Sequence, residues 1–190
     1  MKKAIVQFPS NSSYSEHDIQ GYILFTQNSK SCNVVVQVKL YGLPSGTHGF
    51  HIHEYPIKSE YIEQLKRGKK IKNLCSTLGG HFNPYKTNHG SYRYNTERHA
   101  GDLINNLHVD YTKNVNIVFI DPLISLYSDD INCILNKSIV IHNKPDDEGL
   151  PGYLALEYNK KLNKLETESL KTGNAGKRIA CGNINQLAHV

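Results

Sequence analysis

Seven short runs in which apolar residues recur at every second position constrain this chain more than any other feature: KAIVQF, GYILF, NVVVQVKLYGL, GFHIHE, NIVFI, SIVIH and RIACGNI. Clusters of Gly, Pro, Asn and Asp separate them. Successive side chains of a strand point to opposite faces, so each run offers one apolar face and stops at a turn. Many short strands divided in this way predict an all-β antiparallel sandwich or barrel, not alternating strands and helices. At 190 residues the chain can bury one sufficient core, and a single domain over 1–190 is the expectation.

Two segments depart from period two. In SEYIEQLKRG, Ile62 and Leu65 share a helical face, with Ser59 as N-cap and Gly68 as stop. In Tyr153–Leu170, the residues Leu154, Tyr158, Leu162 and Leu165 recur at helical spacing. Both read as short helices inserted into loops of a β scaffold.

Several partner classes are set aside by composition. No stretch approaches the roughly 18 apolar residues of a membrane span, and MKKAIVQFPS lacks the apolar core of an export signal, so a soluble, cytoplasmic protein is expected. The net charge of +5 is moderate. The basic run KRGKK, Lys66 to Lys70, has no aromatic or helix-turn-helix company and reads as a solvated loop, with no nucleic acid bound. Cys32, Cys75, Cys133 and Cys181 contain no CxxC pair, and spacing alone reads them as four buried thiols.

The stretch HGFHIHEYP is unusual for a strand. With Phe50 and Ile52 directed to the core, His51 and His53 leave together from the other face, about 6 to 7 Å apart, which suits two ligands on one metal. SIVIH places His142 by the same alternation. Between these strands, GGHFNPYKTNHGSYRYNTERHAGD is rich in Gly, Asn, Pro and Tyr and carries His81, His89, His99 and Asp102. So long a loop in a small domain calls for an internal organiser such as a metal. Three histidines with one carboxylate suit zinc, and the all-imidazole set of His51, His53 and His142 suits copper. His48 reads as a hydrogen bonder behind the site, while His17, His108 and His189 have no such context.

GFHIHE, GGHFNP, HG, ERHAGDL, VIHNKPDD and KTGNAGKRIACG, in this order and spacing, resemble the Cu/Zn superoxide dismutases from about Lys3 to Ile184. The resemblance implies an eight-stranded Greek-key barrel or sandwich with long metal-binding, electrostatic and disulfide-bearing loops. It implies an oxidoreductase that converts superoxide, a small anion, to dioxygen and hydrogen peroxide. His51, His53, His81 and His142 resemble the copper ligands, and His81, shared between the ions, joins His89, His99 and Asp102 as zinc ligands. Asp146 matches the carboxylate linking a copper histidine to a zinc histidine. Arg178 is similar to the guanidinium that guides superoxide, and Lys171 and Thr172 match channel residues. Cys75 and Cys181 look like the family's disulfide, which leaves Cys32 and Cys133 free.

Insertions near 56–72 and 150–170, and Asn183 and Gln186 where the resemblance places apolar interface residues, argue against the family's usual interface, and a homodimer with an altered interface is expected because most soluble oligomers are twofold. A copper chaperone is an expected partner. The competing reading, a catalytically silent metal-binding or chaperone-binding relative, would predict a lost copper ligand or a lost arginine, and all are present. The abundance of Asn, Ile, Lys and Tyr fits an AT-rich genome such as that of a large DNA virus, for which virion association would be an alternative location.

Overall fold

Alternation along the chain becomes the inner and outer faces of two antiparallel sheets in the computed structural model, which describes residues 1–9, 17–69, 71–93 and 97–188. The elements in chain order are β1 (Lys2–Phe8), β2 (Gln20–Gln27), β3 (Val34–Tyr41), β4 (Gly46–His53), α1 (Ser59–Lys66), β5 (Asn106–Val109), β6 (Asn114–Asp121), β7 (Ser138–His142), α2 (Leu150–Glu157), α3 (Lys164–Thr172), β8 (Arg178–Asn183) and β9 (Asn185–Gln186). One sheet runs β6-β3-β2-β1-β9 and the other β5-β4-β7-β8. The β3–β6 and β4–β7 pairings skip the strands between them, as Greek-key connections do. Beyond the eight expected strands lies the two-residue β9, which pairs with Ala4 and Ile5.

Val6, Phe25 and Val36 of the first sheet meet Phe50, Ile52, Ile139 and Ile141 of the second in one buried cluster. Each large apolar side chain buried there contributes about 1.5–3 kcal/mol. Antiparallel sheets commonly leave one face in water, yet every residue from His48 to His53 and from Ser138 to His142 is buried. Loops and α1 cover the outer face, on which His51, Val140 and Cys181 lie in register across β4, β7 and β8. Leu65 of α1, with Ile57, Leu74 and Leu78, buries Val140 and Cys181, and Tyr61 and Ile62 pack at the rim.

The first inserted helix follows the sequence closely, except that Lys58 is the extended cap residue and Ser59 already lies inside the helix. Gly68, at φ +77°, ends it as expected. The second insertion forms two helices instead of one apolar stripe. Leu154, Tyr158 and Leu165 are 52%, 67% and 70% exposed. Gly152 decides the buried face, because a Cβ there would stand 2.3 Å from Leu170 Cγ, and only glycine lets α2 approach α3 so closely. Asn163 and Glu166 cap α3 reciprocally.

Cys75 and Cys181 form a disulfide, which overturns the reading of four thiols drawn from spacing. Proximity settles it: β8 and the 3-10 turn Leu74–Leu78 bring the two Cα atoms to 5.7 Å. Cys32 and Cys133 are free. Lys66, Arg67 and Lys69 are exposed, while Lys70 and His189 lie outside the described residues. Among the described residues no helix is long and apolar enough to cross a membrane.

Candidate metal centre

Strand alternation carries His51 and His53 out of β4 on its loop-covered face, with ring centroids 6.4 Å apart. His142 leaves the end of β7 at a register shift against β8, where a bulge re-aims the side chain. The loop histidine His81 is brought to these three by an isolated antiparallel bridge to His53 and by the bond from Phe82 N–H to Ile52 O, 2.8 Å. The ring of His81 stacks on that of His51 at 4.1 Å. His89 is held by a backbone bond to Leu170 O of α3, 2.7 Å. His99 and Asp102 sit on one short turn, where Asp102 Oδ2 accepts from the N–H groups of His99 and Gly90.

These residues form two buried sets that share His81: His51, His53, His81 and His142, and His81, His89, His99 and Asp102. Within each set the donor atoms lie within 4.8 Å of one another. Asp102 Oδ1 lies 2.9 Å from His81 Nδ1, 3.0 Å from His89 Nδ1 and 3.0 Å from His99 Nδ1.

Outer hydrogen bonds fix which nitrogen of each ring is free. A carbonyl oxygen only accepts, so His53 Nδ1 donates to Gly79 O (3.0 Å), His142 Nδ1 to Gly176 O (3.1 Å) and His99 Nε2 to Thr87 O (3.2 Å). Asp146 accepts from His51 Nε2 at 2.5 Å and from His89 Nε2 at 2.9 Å. The opposite nitrogen of each ring points inward, toward Asp102 Oδ1 in the case of His89 and His99. Accordingly His51 Nδ1, His53 Nε2, His81 Nε2 and His142 Nε2 are buried without a hydrogen-bond partner, while His89 Nδ1 faces Asp102 Oδ1 at 3.0 Å. Four orphaned imidazole nitrogens would be costly unless an ion completes them, three Nδ1 atoms converge on the single oxygen Asp102 Oδ1, and the donor sets fit a copper and a zinc ion.

Asp146 is itself clamped. Its backbone pairs with the Asn106 side chain at 2.8 and 3.0 Å, and Asn105 Nδ2 donates to its Oδ2 at 3.3 Å. Gly173, at φ +64°, passes so close that a Cβ there would stand 2.1 Å from Asp146 Oδ1. His48 bonds the carbonyls of His142 and Pro44, as a hydrogen bonder behind the site should. Asn105, Asn106 and Gly173 escape a reading of the sequence because their partners are distant in the chain, although Gly173 stands within the KTGNAG motif.

Burial, aided by the neighbouring rings and Arg178, holds His53 well below the ordinary histidine pKa. Burial and His51 do the same to His81, and they lower His142 to about 3. Burial also opposes charge on His89, but Asp102 and Asp146 outweigh it and raise that ring to about 10. For both carboxylates burial is outweighed by histidine contacts, chiefly from His89 on Asp102 and from His51 on Asp146, and both lie well below the usual carboxylate range. A prediction follows for the metal-free chain. His53, His81 and His142 remain neutral when folded but take up protons when unfolded below about pH 6.5. The unfolded state then binds more protons, so stability should fall with pH, by up to ~2 kcal/mol per histidine between pH 6.5 and 5. His89 acts oppositely: its contribution is full below about pH 6.5 and is lost as pH rises from there through about 10. Urea midpoints of metal-free protein at pH 7 and 5 check this, and equal midpoints would refute it.

A channel of about 280 Å³ reaches His53, His81 and His142 past Glu168, Thr172 and Arg178. The Arg178 guanidinium is half-buried and donates to Cys75 O at 2.8 Å and Gly79 O at 2.6 Å, while Gly79 O also receives His53. Glu168, from α3, is a channel residue that the sequence reading did not single out. Lys171, expected in the channel with Thr172, lines a neighbouring cleft instead.

The family model described as Copper/zinc superoxide dismutase (SODC) matches residues 19–184. The chain is 38% identical over 168 residues to Superoxide dismutase (Cu-Zn) A of Xenopus laevis, covering 88% of this chain and 89% of the relative. It is 37% identical over 166 residues to the Extracellular superoxide dismutase (Cu-Zn) of Drosophila melanogaster, covering 87% and 75%. The crystal structure of the clock protein EA4 superposes with a TM-score of 0.71 at 34% identity, covering 97% of this chain and 94% of that one.

Proposed function

The chain belongs to the copper/zinc superoxide dismutase family, and from that premise we infer that it converts two superoxide ions and two protons to dioxygen and hydrogen peroxide. The observation that carries this reading is the pair of buried donor sets that share His81, one with four imidazole nitrogens that have no partner and the other with three converging on Asp102 Oδ1.

In this reading His51 Nδ1 and the Nε2 atoms of His53, His81 and His142 hold copper. The Nδ1 atoms of His81, His89 and His99, with Asp102 Oδ1, hold zinc. Copper supplies the alternation between two oxidation states that redox-silent zinc lacks. The rest falls to the protein. Arg178 attracts the anion to the inner end of the channel. Its bonds to Cys75 O and Gly79 O prevent the guanidinium from swinging away, and the same Gly79 carbonyl steadies His53. His81 lines the channel with its Nδ1 held by Asp102, and its Nε2 would be the atom that holds or releases the proton the reaction needs. Asp146 fixes the tautomers of His51 and His89 together.

Purified protein should contain both metals and dismutate superoxide. Two metals without turnover would leave the silent metal-binding reading in its place. Arg178→Glu should lower the rate roughly 10-fold or more at matched copper content and flatten its dependence on salt. Equal activity at matched copper would exclude the guiding role.

Finer expectations accompany this reading: a cytoplasmic site of action, a copper-delivering partner and a homodimer. Such a dimer would not use the outer face beside the disulfide, which α1 covers, and light scattering measures the mass directly.

A further inference from the structure

Two openings reach His81, and α3 stands between them. Glu168 and Thr172, one turn apart, line the channel that holds Arg178. Thr167 and Lys171, also one turn apart but on the adjoining face, line a second cleft of about 410 Å³. His81, Asn88, His99 and Leu162 line the same cleft. The channel thus serves the all-imidazole set, and the cleft ends on the set containing Asp102.

That second set is otherwise closed. The side chains of His89 and Asp102 are 0% exposed and that of His81 1%, whereas His99 is 5% exposed. His89 is backed by Asp146 and the Leu170 backbone, and Asp102 by the amides of His99 and Gly90. An ion leaving this set must pass through the wall that opens at least cost, and the side chains on α3 facing the cleft are the lightest cover. Thr167 and Lys171 are exposed and Leu162 is half-buried. Lys171 at the mouth favours an anionic visitor over a bare dication.

The geometry points to this cleft as the exchange route of the His81–His89–His99–Asp102 ion, used by small anionic chelators and separate from the superoxide channel. The inference rests on the assignment of zinc to that set. It gives the insertion near 150–170 a task, since Leu162 and Thr167 come from it.

The test is zinc transfer from the copper- and zinc-loaded protein to excess EDTA, with zinc and copper release followed separately. Thr167→Trp, which fills the cleft, should slow zinc release at least about fivefold and leave copper release unchanged, and Leu162→Ala should speed zinc release. Thr172→Trp, in the channel, should slow copper release alone. The route is excluded if Thr167→Trp and Leu162→Ala both leave zinc release within about twofold of the parent, or if they change both metals equally. Should Thr167→Trp not load zinc, Leu162→Ala decides alone. A protein that exchanges zinc in this way but turns over no superoxide would keep this inference and lose the dismutase function.

Discussion

Asp146→Asn is expected to weaken binding of at least one of the two ions by about 10- to 100-fold and to reduce dismutation to a similar extent, with the fold retained. The substitution preserves size and removes one acceptor. In the parent, Asp146 Oδ2 receives His51 Nε2–H and Oδ1 receives His89 Nε2–H. An asparagine offers one oxygen and one NH2, so one ring must turn its Nε2 lone pair outward. Its proton then moves to Nδ1, the atom meant for the ion. Glu148 N–H donates to Oδ1 at 2.5 Å and Asn105 Nδ2 to Oδ2 at 3.3 Å, so an amide NH2 meets a donor on either side and one ring loses its acceptor in each orientation. The ion whose affinity falls more identifies that ring. Competition titration with a chelator measures the two affinities separately. Unchanged affinity for both ions would show that ring orientation here does not depend on Asp146.

The histidines on strands were legible because alternation is a local rule: Phe50 and Ile52 in the core force His51 and His53 outward together. The loop histidines were legible only as a group, through the improbability of His81, His89, His99 and Asp102 in one long loop. Their convergence depends on contacts that no local pattern announces, such as the His53–His81 bridge and the Asn106 clamp on Asp146. The leucine stripe of the second insertion misled for a related reason. Periodicity shows that residues share a face but not which face meets another element, and at Gly152 the absence of a side chain decides this. The disulfide was invisible to spacing because its partners are 106 residues apart, and the motif resemblance alone pointed to it.

Removing that disulfide, by Cys75→Ala together with Cys181→Ala, should be the most damaging change outside the metal ligands. The closed loop spans 106 residues, and the chain-entropy relation gives about 4.7 kcal/mol for it. At about 2–4 °C per kcal/mol for a chain of this size, the melting temperature should fall by roughly 10–20 °C. Function should fall as well, by a route that can be traced. Cys75 O accepts from Arg178, and four residues later Gly79 O accepts from both Arg178 and His53. The disulfide pins this segment to β8, the strand on which Arg178 itself sits. Without it the guanidinium and one imidazole lose a common anchor, so the rate per bound copper should drop as well as the stability. The cap of Leu65, Leu74 and Leu78 buries Cys181 completely, so in the parent a reductant should act slowly unless α1 is loosened, for instance by Leu65→Ala. Calorimetry of the metal-free double variant isolates the stability effect, and a loss under about 1 kcal/mol would mean that packing beneath α1, not the covalent link, holds the segment.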